Sequence, residues 1–123
     1  MTQKELKART KDFALRVIKL VRALPKTIEG RAFANQLIRS GTSVAANYRA
    51  ACRGRSRAEF AAKIGTVLEE ADESLLWLEL ILEAGLLAPA RCQLLLVEAG
   101  ELVAIFAATR KSSLAKANLK SEI

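Results

Sequence analysis

A chain of 123 residues has the length of one domain, and by surface scaling it buries roughly 60 to 70% of the surface its unfolded form exposes, enough to fold without staples. Hydrophobic residues make up 51%, Gly (6) and Pro (2) are scarce, and histidine is absent, which argues against a sheet on propensity and excludes His-based nucleophile pairs and the commonest metal ligand. The net charge of +7 is uneven: residues 1–63 carry 15 Lys/Arg against 4 Asp/Glu (+11) and residues 64–123 carry 5 against 9 (−4), so either a polyanion-binding face or mutual attraction of the two halves follows.

Phe13, Val17, Leu20, Val21 and Leu24 recur at steps of three and four, while Lys11, Arg16, Lys19 and Arg22 fall on other faces. The spacing predicts a first helix over 11–24. Pro25 disfavours helical dihedrals in the residue before it, and 25–30 reads as a loop.

A second helix over 31–53 follows from Phe33, Leu37, Ser40, Val44, Tyr48 and Ala51. Its run of small residues from Ser40 to Ser43 includes Gly41, which costs on the order of 1 kcal/mol against Ala mid-helix. Either a slight bend or close packing of another backbone accounts for it. Gly54 is the expected C-cap.

Ser56, Arg57, Ala58 and Glu59 have the order of a capping box, with the Ser hydroxyl accepting from the Glu59 N–H and the carboxylate returning to the N–H of Ser56. Helix three should then span 57–85, with Phe60, Ile64, Val67, Ala71, Leu75, Leu78 and Leu82 as its core stripe. Leu76, Trp77, Leu80 and Ile81 lie off that stripe, which makes this half of the helix apolar on several faces and marks a candidate subunit contact.

Pro89 suits the first turn of a fourth helix over 89–110, whose stripe is Leu95, Ala99, Leu102, Phe106 and Thr109. Residues 111–123 show no strong period and are expected to fray. Short connections turn each helix back on the last, so the expected fold is all-α, one antiparallel up-down-up-down four-helix bundle. No stretch approaches about 20 uncharged apolar residues and the start lacks a secretory apolar core, so no membrane span is expected and the cytoplasm is the expected location. Cys52 and Cys92 fall at opposite ends of helix three in this topology and should not bond.

The basic residues Arg49, Arg53, Arg55, Arg57 and Lys63 cluster around the second turn, with Arg16, Lys19 and Arg22 of helix one as possible additions; together they could neutralise phosphates without reading sequence. A solvated basic face with no ligand is the plain alternative. Tyr48 and Phe60 are the interleaved aromatics, and both fall on core stripes. If helices two and three meet near residue 55, positions summing to about 110 lie side by side, which puts Arg39 near Glu70 and Glu73, and Asn47 near Lys63, as a structural polar network that fixes register. Glu69, Glu70, Asp72 and Glu73, with Glu98 and Glu101 on helix four, are the raw material for a carboxylate metal site, in which Glu73 would lie level with Glu101; bundle di-iron sites add Glu-x-x-His motifs, which are missing, so no cofactor and no enzymatic activity are expected.

Gln36 to Ser40, Thr42 to Asn47, Ser56 to Phe60, and the later run Glu69 to Ser74 and Trp77 to Leu80, with Leu24, Pro25 and Lys26, resemble the four-helix bundle family encoded in 23S rRNA intervening sequences, over about residues 12–108. The resemblance implies cytoplasmic bacterial bundles that assemble as ring-like homopentamers. It also implies kinship with the accessory protein of diversity-generating retroelements, a basic pentamer whose expected partners are RNA or DNA and a reverse transcriptase, although this chain matches the intervening-sequence branch better. Where many members carry Glu-Gly after the Asn, this chain reads Asn47, Tyr48, Arg49, which makes the region more basic.

Overall fold

The computed structural model describes residues 1–122, with side chains through residue 118. Four helices follow one another: α1 (Gln3–Ala23), α2 (Ile28–Cys52), α3 (Arg57–Glu83) and α4 (Pro89–Glu122). Each packs against its neighbours in chain order, the two diagonal pairs do not approach closely, and the contacts between α1 and α4 are the sparsest of the four sides. This is an antiparallel four-helix bundle, with no strand among the described residues.

Apolar side chains at helical spacing fill its centre: Phe13, Val17 and Leu20 from α1, Leu37, Val44 and Tyr48 from α2, Ile64, Val67 and Leu78 from α3, and Leu95, Leu102 and Phe106 from α4. The Tyr48 and Phe106 rings meet across the core at 5.4 Å. Ser40 and Ser74, both buried, are hydrogen-bonded at 2.8 Å and need no larger side chain between α2 and α3. A Cβ on Gly41 would lie 2.8 Å from Val17, so the small-residue run serves close packing of α1 on α2.

Several boundaries differ from the sequence expectation. Helix one begins at Gln3 rather than 11, because Thr2 accepts the Glu5 N–H at 3.1 Å and Leu6 and Thr10 extend the buried stripe downward. Thr27 accepts from the Gly30 N–H, which starts α2 at Ile28 inside the expected loop. The glycine with positive φ is Gly85, not Gly54: at φ 71° it closes α3 with bonds from its own N–H to Leu82 and from Leu86 to Ile81, the paired pattern of a left-handed cap, and ends the helix at Glu83 rather than 85. The capping box at α3 is present, but the Glu59 carboxylate takes the N–H of Arg55 (2.6 Å) instead of that of Ser56.

The largest correction is at the C-terminus. Residues 111–122, expected to fray, continue α4, since no Gly or Pro follows Gly100 and Lys, Leu and Ala are good helix formers. Ile123 lies outside the described residues. Along α3 the expected Ile64, Val67, Ala71 and Leu78 are buried, but towards the two ends the buried positions are Ala61, Ser74 and Ile81, with Phe60, Leu75 and Leu82 half-buried, so the stripe keeps its centre and winds with a shorter period than expected. α4 also holds an 18-residue window of mean hydropathy 1.6, so that by length and composition alone Pro89–Asn118 is long and apolar enough to cross a membrane, as the core helix of a bundle also can be; the property arises because a buried apolar stripe is joined by exposed Leu94 and Val97 on the opposite side.

Candidate nucleic-acid interface

The turn between α2 and α3 gathers the basic side chains. Two concavities that share Gly54 and Arg55 flank it, and another lies farther back along α2. One, between α1 and α2, of about 620 Å³, is lined by Lys7, Lys11, Thr42 and Arg49. A second, between α2 and α3, of about 550 Å³, has Arg53, Arg55, Lys63 and Glu59. The third lies between the turn and α4, about 460 Å³, with Arg55, Arg57, Phe60 and Lys116. Among the described residues Glu59 is the acidic one in these linings, and its carboxylate is engaged by the Arg55 backbone. α2 ends at this pole with Arg49 in its last turn, where a cation is favoured by the helix dipole.

Five of the eight candidate basic residues, Arg49, Arg53, Arg55, Arg57 and Lys63, therefore share one pole. Arg16, Lys19 and Arg22 do not join them. Arg22 is in the last turn of α1. Arg16 and Lys19 line a different concavity of about 270 Å³ at the α1–α4 side with Leu94 and Arg91, near the end at which α1 meets α2. The reason is direction: α1 runs antiparallel to α2, so its early lysines, Lys7 and Lys11, come beside Arg49 instead. Those lysines and Lys116 were missed in the sequence. Thr2 and Glu5 offered the signal, since a Thr followed three residues later by Glu is a capping box order that would have started α1 early.

The polar network is as expected for Arg39, whose guanidinium reaches Glu70 at 3.2 Å and also bonds Glu73. The bond to Glu73 raises the Arg39 pKa, and the same bond, with help from the Trp77 N–H, lowers that of Glu73. Asn47 instead donates to the Ser43 carbonyl of its own helix at 2.9 Å. A pair of equal standing escaped the sequence reading: Arg9 forks onto Glu98 and reaches Glu101 at 2.6 Å. Its hydrogen bond holds the Glu98 carboxyl below the usual range, and that bond raises the Arg9 pKa.

These pairings direct the acidic residues to separate helices. Glu73 turns to α2, whereas Glu101 turns to α1, so the two do not lie level in one site, and among the described residues no cluster of three acidic or cysteine side chains is placed to hold a metal. Cys52 and Cys92 are both free. Burial, then a hydrogen bond with the Cys52 thiol, pushes the Tyr48 phenol above its ordinary value, and burial pushes the Cys92 thiol up, so neither is an activated nucleophile.

Of the candidate subunit contact, Ile81 is fully buried in the core, because the C-terminal half of the α3 stripe passes through Ser74, Leu78 and Ile81. Trp77 is half-buried, 5.9 Å from the Phe33 ring, and donates to Glu73 at 3.2 Å. Leu76 and Leu80 remain outward, 47% and 36% exposed.

The family model for the 23S rRNA-intervening sequence protein matches residues 3–108. None of the curated proteins matches the chain. Among solved structures, a protein of unknown function from the S23 ribosomal protein family of Bacteroides thetaiotaomicron is similar, with 29% identity and a TM-score of 0.79 over 86% of this chain and 98% of that one.

Proposed function

This chain belongs to the 23S rRNA-intervening sequence protein family, and from that premise we propose that it is a non-catalytic, homo-oligomeric bundle that binds RNA or another nucleic acid through the basic pole at the α2–α3 turn. The observation that carries this reading is the gathering of cations from all four helices in concavities at the α2–α3 turn and along α2 beside it, where Glu59, the acidic residue among the described lining residues, is already engaged. Such an arrangement neutralises phosphates without reading bases, and its affinity must fall with salt as counterions are released. The absence of histidine and the use of Glu70, Glu73, Glu98 and Glu101 in ion pairs support a binding role over catalysis. Fluorescence anisotropy with a structured RNA over a series of salt concentrations tests it; no binding at low salt, or binding indifferent to salt, removes the reading.

A second reading, a structural adaptor that self-associates or binds a protein partner without nucleic acid, is favoured by the outward face of α3. Glu69, Asp72, Leu76, Leu80 and Glu83 are all exposed and spaced by three and four, an acidic stripe with two leucines at its middle. On the α1–α4 side, Leu94 (75% exposed) lies in a concavity flanked by Arg16, Lys19 and Arg91. Opposite charge and shared apolar character suit these two different surfaces to each other on successive copies, and a contact between unlike surfaces forms a ring when the rotation from copy to copy closes. The homopentamer implied by the family resemblance is of this kind. Light scattering separates the readings: a ring without nucleic-acid affinity favours the adaptor, and a strict monomer removes the homo-oligomer from both.

A further inference from the structure

Phe60 is not where a core residue of its spacing should be. The start of α3 buries Ala61 in its place, which leaves the Phe60 ring half-buried along the wall of the concavity of about 460 Å³ between the α2–α3 turn and α4. Around that ring stand Arg55, Ser56 and Arg57 from the turn, and Ser113 and Lys116 from the part of α4 that continues past the expected end of the helix. Among the described residues Arg55, Arg57 and Lys116 enter no ion pair with a carboxylate. Among the described residues no acidic side chain lines the space.

The chemistry recognised by such a cavity is a flat apolar group attached to an anion. Its volume falls in the range of about 300 to 1,000 Å³ that holds a small organic group. A nucleotide supplies both parts, and every base has a face that stacks on an aromatic ring whatever its sequence. Inside a duplex, base faces are covered by their neighbours and the ring could not reach one; in a loop, a bulge or a single strand they are free.

We infer that this cavity takes one unpaired nucleotide, its base against Phe60 and its phosphate held by Arg57 with Arg55 and Lys116, so that the basic pole prefers unpaired to fully paired nucleic acid. The inference rests on the reading of that pole as a nucleic-acid surface, and it adds what kind of nucleic acid the pole selects. The long α4 then has a task in recognition, because Lys116 belongs to the residues beyond the compact core.

The test uses the full-length chain and three fluorescent probes at one low salt concentration: a short single-stranded RNA, the same strand in a blunt duplex, and a strand of equal length whose positions are abasic, which keeps the phosphates and removes the bases. The single strand should bind at least about five-fold more tightly than the abasic strand, the lower end of what base stacking on an aromatic contributes. It should also bind more tightly than the duplex. The variant Phe60→Leu, which keeps an apolar side chain over the core, should erase the preference for bases and leave the affinity for the abasic strand unchanged. Equal binding of based and abasic strands by the unmodified protein overturns the inference without reference to any variant. So does an equal loss for both strands in Phe60→Leu. If none of the three probes binds, the basic-pole reading itself is lost and this pocket with it.

Discussion

The guanidinium of Arg9 meets the carboxylate of Glu98 in a two-pronged hydrogen bond, Nε to Oε2 at 2.8 Å and Nη2 to Oε1 at 2.7 Å, which ties the first helix to the last. The Glu98 side chain is only 13% exposed, so the fork also keeps a mostly enclosed carboxylate satisfied. Replacing Arg9 by Ala leaves that carboxylate without its partner and should lower unfolding stability by about 1–3 kcal/mol, the usual cost of stranding a buried polar group. Arg39→Ala, which removes a side chain 49% exposed, should cost less. Urea unfolding of both variants beside the parent checks the order, and equal losses would refute it.

Acid should weaken the bundle through the same carboxylates. The hydrogen bond from Arg9 lowers the folded-state pKa of Glu98, and that from Arg39 lowers Glu73, so each group binds its proton less readily folded than unfolded. The stability they contribute is complete above the ordinary carboxylate pKa and disappears as the pH falls through the depressed folded values, below about pH 4.5. Thermal melts taken downward from neutral pH should show the decline in Tm beginning there, and Glu98→Gln should make it shallower.

Gly41 tests whether close helix approach outweighs helix propensity. Ala is the better helix former by about 1 kcal/mol. The added methyl, however, would meet the branched side chain of fully buried Val17 at 2.8 Å, and such overpacking costs typically about 1–3 kcal/mol. Gly41→Ala should therefore destabilise on balance, and the double variant with Val17→Ala should lose less than the two single losses added together. A gain in stability for the single variant would mean that the two helices separate at little cost.

The split of the basic residues between the two ends separates real contacts from general charge. Arg53→Ala and Lys63→Ala should each weaken RNA binding and reduce the slope of log affinity against log salt by about 1. Lys19→Ala and Arg22→Ala remove the same charge from the far end and should leave that slope close to the parent value. Anisotropy titrations at several salt concentrations read the slopes directly, and an equal response at both ends would disperse the proposed site over the whole surface.

Much of this architecture was readable in the residues, and the exceptions have physical causes. Strong apolar periods placed the cores of all four helices, and antiparallel registration near residue 55 placed Arg39 against Glu70 and Glu73. The early part of α1 went unseen because Leu6 alone supplies a large apolar side chain there, while its other buried contact is a threonine whose hydroxyl bonds back to Leu6. Arg9 and Glu98, 89 positions apart, can be paired only once the start of α1 is known. The split of the basic residues was hidden for a related reason: charge summed along the chain does not record which end of an up-down helix each residue occupies. On α3, apolar residues at 74–82 offered two stripes one residue apart, and buried Ser74, bonded to Ser40, decided between them.

The uneven closure of the bundle orders its opening. Because α1 leans chiefly on α2 and touches α4 sparingly, lifting it away breaks one long interface and the Arg9 clasp, whereas α3 is enclosed along two sides. Amide protons in residues 3–23 thus have a shorter route to solvent than those in 57–83. The basic pole inherits that difference: its α1 margin, with Lys7 and Lys11, is built on the most readily detached part of the molecule, and its α3 margin on the part that stays.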